Sequence, residues 1–387
     1  MAHAPRLIRP LIHHFGRLFG LLLCQALMAT AAWSQPTGAD PILVGQSGGF
    51  TGGQADYAKD VKLGIEAAFA TANAGGGIGG RPLKLVTADD GGKRDAVLAN
   101  TRKLVETSGV VALIGYTSGA GTEASLGYIN TAKVPLLSPA TGNMGIRSSH
   151  SPYLFHTRAG YSDEMSKIVG HVASLGYQRI ALAYLADVGP ANLNSMQAAL
   201  SAHKLSAAAV VGLDRNAEDF TPQVETLTKA NPQLVIFISN AKPIALIVKG
   251  MRERGYGGQF ATSSFAGSRV VSDLKHHAPG LIMIQVLPQP TREHLGFQRE
   301  FQAALKRVAP GAAPNYTMLE GYVAGRVLLE GLKRAGPGAT PARLASTLDG
   351  LRDLDLGGYR VRFAPDDHSG SRFVDLGVVS ENGRLRF

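Results

Sequence analysis

Cysteine is nearly absent: the 387-residue chain has one, Cys24, inside an apolar run near its start. The rest of the chain therefore has no disulfide, no thiolate metal site and no thiol nucleophile. Charged residues make up only 18% against 45% apolar, which excludes a disordered chain and indicates a well-buried core. No apolar run reaches the ~20 residues of a membrane-spanning helix. Zinc-type histidine spacing and a G-x-S-x-G elbow are both missing. No Gly/Ser or Pro-rich linker, internal repeat or low-complexity segment divides the sequence.

What is there begins at the N-terminus. Arg6, Arg9 and Arg17 precede the apolar run Leu18–Ala32, and Ala32-Trp33-Ser34 gives a small-x-small exit. With no acidic residue before it, this reads as an export signal over 1–34, cleaved to leave a protein outside the cytoplasm and not inserted in the membrane. Leu23 before Cys24 is too large for a lipoprotein site. The net charge of +10 drops to about +7 without the three arginines. Basic residues are scattered among acidic ones with no aromatic interleaving, so they read as a solvated surface and not as a nucleic-acid footprint.

From Pro41 short β-branched runs alternate with amphipathic ones. Strands are expected at 42–46, 82–90, 110–115, 134–139 and 153–158, and again at 179–185, 207–213, 234–239, 258–263 and 281–288. Helices are expected between or after them, the longest at 55–73 and 315–335. Near-continuous apolar strands with intervening helices mean parallel sheets covered on both faces. The fold class is α/β, and its ten strands suit two doubly wound sheets better than one. Crossovers are expected near 158–160, 286–288 and 351–358. The halves are then 41–157 plus 287–350 and 158–286 plus 351–387. Residues 358–364 and 373–380 read as an antiparallel hairpin.

Ligands of open parallel sheets gather beyond the carboxyl ends of the strands. Three such ends are rich in glycine and hydroxyls: Gln46-Ser47-Gly48-Gly49-Phe50, Tyr116-Thr117-Ser118-Gly119 and Ser138-Pro139-Ala140-Thr141. Small residues let a ligand approach backbone N–H groups, although the same residues also suit turns and helix caps. Gly75, Gly77 and Gly80 have a dinucleotide-like spacing but follow a helix and precede a strand, the reverse of a phosphate cradle. His276-His277 reads as an exposed loop pair. Ser118 has no identifiable base, so neither an enzyme nor a metal or organic cofactor is expected.

The segments ILVGQSGGFTGGQADYAKDVKLGIEAAF, VVALIGYTSGAGT, VPLLSPATG, YLFHTRAGYSDEM, NPQLVIFISNAKP and YTMLEGYVAGRVL follow one another in an order that resembles the leucine/isoleucine/valine-binding proteins. These are type I solute-binding components of ABC transporters. The resemblance implies a clamshell of two lobes joined by three crossovers, closing on a small solute, with the ABC permease as partner and a periplasmic location. It implies first-lobe contacts around Phe50, Ser118, Gly119, Ala140 and Thr141, and second-lobe contacts near Asp187, Asn240, Lys242 and Phe265. Where amino-acid binders present a carboxylate to the ligand's ammonium, this chain reads Ser263-Ser264-Phe265-Ala266. A polar or anionic organic solute, amino-acid-like or a carboxylate, is therefore expected. Arg158 and Lys242 either meet it or pair elsewhere, Arg158 with Asp163 or Glu164. Asp187 either meets it or caps its own loop. The protein is expected to act as a monomer, with presentation to a membrane histidine kinase or chemoreceptor as the alternative output.

Overall fold

The computed structural model describes residues 40–148 and 150–387, so the expected export segment 1–34 lies outside the described residues. The chain opens with β1 (Ile42–Gly48), α1 (Ala55–Ala74), β2 (Leu83–Asp89), α2 (Arg94–Glu106), β3 (Ala112–Ile114), α3 (Gly119–Ala132), β4 (Leu136–Leu137) and β5 (Leu154–Phe155). These strands form a parallel sheet in the order β2-β1-β3-β4-β5. Alternate side chains leave it on opposite faces. Ile42, Val44, Ala112 and Ile114 enter one apolar cluster, whereas Leu113, Leu136 and Leu154 enter another.

A second alternation follows: α4 (Tyr161–Ser174), β6 (Ile180–Leu185), α5 (Pro190–Ser201), β7 (Ala207–Leu213), α6 (Thr221–Ala230), β8 (Leu234–Ile238), α7 (Ala241–Glu253), β9 (Gln259–Thr262), α8 (Arg269–Leu274) and β10 (Ile282–Gln285). Its strands belong to a seven-stranded sheet with its own core, in which every residue of the run Leu234–Ile238 is buried. The chain then returns to the first half through α9 (Gly296–Val308), α10 (Tyr316–Ala335) and α11 (Pro341–Asp349), whose apolar faces cover the first sheet. The two doubly wound α/β halves read from the sequence are thus both present.

The C-terminal hairpin is a correction. Residues 354–361 form a small hairpin of their own, β11 (Leu354–Asp355) with β12 (Arg360–Val361). Asp355 Oδ1 accepts the N–H groups of Gly357 and Gly358 at 2.8 and 2.6 Å and shapes its turn. Leu351, Leu354, Val361 and Phe363 are buried in the first core, not the second. The third crossover consequently comes later than expected, after Phe363, and β13 (Asp375–Val379) pairs antiparallel with β10 while β14 (Leu385–Arg386) pairs with β13. An unpaired β10 edge would leave backbone donors and acceptors without partners, and β13 supplies them.

Two histidines sit beside the first crossover. His156 and His368 are buried, and Gly370 N–H donates to the His156 carbonyl at 2.7 Å. Burial, with the Arg147 charge second, holds the His156 imidazole well below its usual range, and burial lowers His368 as well. A depressed folded-state value stabilises the fold above the unfolded histidine value of about 6.5 and loses that contribution as pH falls below it. The expected result is a progressive loss of stability, on the order of 1 kcal/mol from His156, as pH falls from 7.5 toward 5.5. Urea melts from pH 7.5 to 5 measure it. An unchanged slope in His156→Gln would show that this histidine is not the source.

Candidate functional site

A cleft of about 440 Å³ opens between the two halves. Its first wall is the start of α1, from Gly52 to Tyr57 with Asp60; its second is the start of α7, Asn240 to Leu246, together with Phe265 to Arg269. Two helix N-termini therefore face one space, and their free N–H groups and dipoles favour a negative or strongly polar group there. Neither N-cap side chain, Gln54 nor Asn240, makes the usual capping hydrogen bond.

Those two carboxamides are the most informative feature of the site. Gln54 is 3% exposed and Asn240 5%, and in both the side-chain oxygen and nitrogen lack any partner. A buried polar group without a hydrogen bond costs roughly 1–3 kcal/mol. Four such atoms at one cleft point to a partner molecule that satisfies them. Around them the walls are apolar: the Tyr57 and Phe265 rings meet edge to face with centroids 5.3 Å apart, and Ala241, Ala245 and Leu246 continue the surface. Tyr57 is fixed by donating its hydroxyl to the Ala140 carbonyl at 2.9 Å.

The charged residues of the rim are already engaged. Arg269 of α8 pairs with Asp56 of α1 across the cleft and with Asp273 beside it. Lys242 pairs with the exposed Glu218. Asp60 accepts from Asn315 Nδ2 at 2.9 Å, and burial pushes its carboxyl upward.

Of the thirteen residues singled out in the sequence, Asn240, Lys242 and Phe265 line this cleft. The others are placed differently. Gln46 Nε2 donates to the Gly115 carbonyl, and the Tyr116 hydroxyl lies 3.1 Å from Thr101 Oγ1 within a core cluster. Ser118 Oγ caps α3 by accepting from Gly121 N–H, with Gly119 buried as the first helical residue. Thr117 Oγ1 accepts from Gly49 N–H at 3.1 Å and Thr141 Oγ1 from Asn143 N–H at 3.2 Å. Ala140 is buried behind Tyr57, and half-buried Phe50 folds back toward Gly48.

For Arg158 the structure has the pairing with Glu164 that the sequence left open, and for Asp187 it has a pairing with Arg215 in place of a loop cap. Arg158 is 1% exposed and fully committed inside the protein, to Glu164 at 2.5 Å and Glu320 at 3.2 Å. Asp187 is held by Arg215, whose Nε and Nη2 donate to its two oxygens at 2.8 and 2.9 Å. Sequence reasoning missed Gln54, Tyr57 and Arg215. The strand-end rule reaches Arg215, two residues beyond β7. Gln54 and Tyr57 lie just past the loop that the rule covers, and only the turn at Gly52 brings them back to the cleft.

Known proteins share this architecture. A family model described as "Periplasmic binding protein" matches residues 41–384. An amino acid binding protein of Pseudomonas aeruginosa is 24% identical over 222 residues, 57% of this chain and 59% of that protein. Leu/Ile/Val-binding protein homolog 2 of Brucella abortus is 27% identical over 258 residues, 66% of each. The chain thus spans slightly under two thirds of these relatives' length. A substrate-binding periplasmic protein from Ralstonia solanacearum superposes with a TM-score of 0.83 at 30% identity, covering 89% of this chain and 99% of that one.

Proposed function

This chain belongs to the periplasmic binding protein family, in its type I leucine/isoleucine/valine-binding group, and from that premise we propose that it captures a small polar or anionic organic solute and delivers it unchanged to the permease of an ABC importer. The solute's polar head sits against Gln54 and Asn240, and its apolar body lies against Tyr57 and Phe265. Closing of the two halves about their three crossovers buries it, and the closed form is what the permease reads. The basic and apolar N-terminal stretch supports export to the periplasm, where the protein works as a monomer. Among the described residues no helix is long and apolar enough to cross a membrane.

The unpartnered carboxamide pair carries this reading. A cleft of ~300–1,000 Å³, mostly apolar with a few convergent polar groups, is the usual form of a small-molecule site. Micromolar capture requires about −8 kcal/mol, within reach of a few hydrogen bonds plus apolar burial. Membership of a family of solute binders supports release of the solute unchanged.

Asn240→Ala and Gln54→Ala test it. Neither substitution removes a hydrogen bond from the unliganded protein, so the ligand-free melting temperature is expected to hold or rise. Affinity for a solute found by screening short and aromatic carboxylates, their amides and amino acids is expected to fall about 2- to 10-fold per variant. Variants that melt lower yet bind normally would make the carboxamides structural and the assignment wrong.

A further inference from the structure

Resting on that reading of the cleft, we propose that Arg215 sets the ligand's charge: the protein selects a monocarboxylate without an α-ammonium group, and the Arg215 guanidinium recognises the carboxylate. Arg215 is 4% exposed, yet Nη1 is buried and makes no hydrogen bond. Its other two nitrogens grip Asp187 in a bidentate pair, which fixes the plane of the fork. One carboxylate thus holds the guanidinium in place while one edge keeps unused donors.

Small residues border the stem and backbone of Arg215. Glycines 53 and 92 leave room beside Arg215: a methyl group added at Gly92 would lie 3.9 Å from both Arg215 Cδ and Gln54 Oε1. One added at Gly53 would lie 3.5 Å from the Arg215 carbonyl oxygen and 3.7 Å from Asn240 Nδ2. Arg215 therefore lies close to Gln54 and Asn240 without itself lining the cleft, so that a carboxylate reaches it past those two carboxamides. Asp90 is a second carboxylate, raised by burial and close enough for the Arg215 charge to oppose that rise, but no hydrogen bond joins the two. Its oxygens accept from Ser47 Oγ and Gly92 N–H, each at 2.8 Å.

The same inventory disfavours an ammonium. Asp56 and Asp273 are tied to Arg269, Asp187 to Arg215, and Asp60 to Asn315. An ammonium beside the Arg215 charge would meet repulsion. Of the three carboxylates among the described residues lining the cleft, only Asp60, held by the neutral Asn315 amide and raised by burial, lacks a cationic partner and could offset it. A carboxylate takes charge-assisted hydrogen bonds from Nη1 and from the two carboxamide NH₂ groups.

Calorimetric titration with matched probes decides the matter: 4-methylpentanoate, 4-methylpentanamide and leucine, then 3-phenylpropanoate, its amide and phenylalanine. The acids are expected to bind about 10- to 100-fold more tightly than their amides or the amino acids. Arg215→Gln is expected to bring acid and amide to similar affinity, and Arg215→Lys to retain part of the difference. The lysine variant keeps a cation at the site and guards against a folding defect in the glutamine variant, while Asn240→Ala is expected to weaken acids and amides alike. If leucine or the amides bind best, or if both Arg215 variants keep the full preference for acids, the role of Arg215 is refuted while solute capture stands. If none of the six probes binds, the cleft reading falls and this inference falls with it.

Discussion

Arg158→Met is expected to destabilise the fold by about 3–5 kcal/mol, the cost of stripping the counter-charge from a buried ion cluster. Arg158 lies on the first crossover and joins three elements. Nη2 meets Glu164 of α4 and the Ser264 hydroxyl, each at 2.5 Å; Nη1 meets Glu320 of α10 at 3.2 Å. Glu164 also accepts from Ser264 N–H at 2.8 Å. Burial already raises the Glu164 carboxyl, and the Arg158 charge opposes that rise. Without the arginine, two carboxylates face each other out of water.

The loss has a pH signature that an ordinary packing defect lacks. A Glu164 carboxyl whose folded-state value rises further stabilises the fold only below the unfolded value of about 4.5, and loses that contribution as pH rises. The gap between variant and wild type is therefore expected to widen from pH 5 to pH 8, and taking the difference removes most of the histidine effect, since burial and Arg147 outweigh Arg158 at His156. Combining Arg158→Met with Glu164→Gln and Glu320→Gln should recover much of the stability. Urea denaturation measures all of this. A variant that folds as stably as wild type but no longer binds solute would return Arg158 to the ligand.

The second large effect lies where α1 crosses α10. A methyl group added at Gly64 would fall 1.9 Å from the Met318 carbonyl oxygen and 2.7 Å from the Tyr322 nitrogen. At Gly321 it would fall 2.1 Å from the Val61 carbonyl oxygen. Each glycine thus admits the backbone of the opposite helix, and no rotamer change relieves the clash because backbone atoms make it. Gly64→Ala is expected to cost about 3 kcal/mol or more, at the upper end for overpacking. Gly127→Ala is the contrast. It sits in α3 with nothing within 4 Å of the added methyl, and should stabilise the helix by about 0.4–1 kcal/mol. Equal melting temperatures for the two variants would refute the close-crossing explanation. Because α1 also begins at the cleft wall, displacing it should weaken solute binding as well.

Much of this was legible from patterning. The runs at 42–46 and 234–239 and the amphipathic stretches after them predict parallel strands covered by helices, and strands are observed at Ile42–Gly48 and Leu234–Ile238. The C-terminal segment misled because 358–364 and 373–380 both alternate as edge strands do. Alternation gives the period of a strand without naming its partner. Which edge each one joins depended on the burial of Val361 and Phe363 in the first core and on the open side of β10.

The site divided along a similar line. Asn240 and Phe265 are implied by the family resemblance, and both follow strands whose ends are readable. The hydroxyls of Thr117, Ser118 and Thr141 looked alike in sequence but bond to neighbouring backbone, as short hydroxyl side chains at loop and helix starts commonly do. Arg158 and Arg215 are both cations after a strand or at a crossover, and nothing local separates them. Arg158 is hydrogen-bonded to two carboxylates and Arg215 to one. Residue order and hydrophobic period, being local, determined the two α/β halves, the strand ends and the absence of thiol chemistry. Only the packed chain decided which polar side chains keep an unmet hydrogen bond, because the partners of Gln54, Asn240 and Arg215 are set by residues far away in sequence.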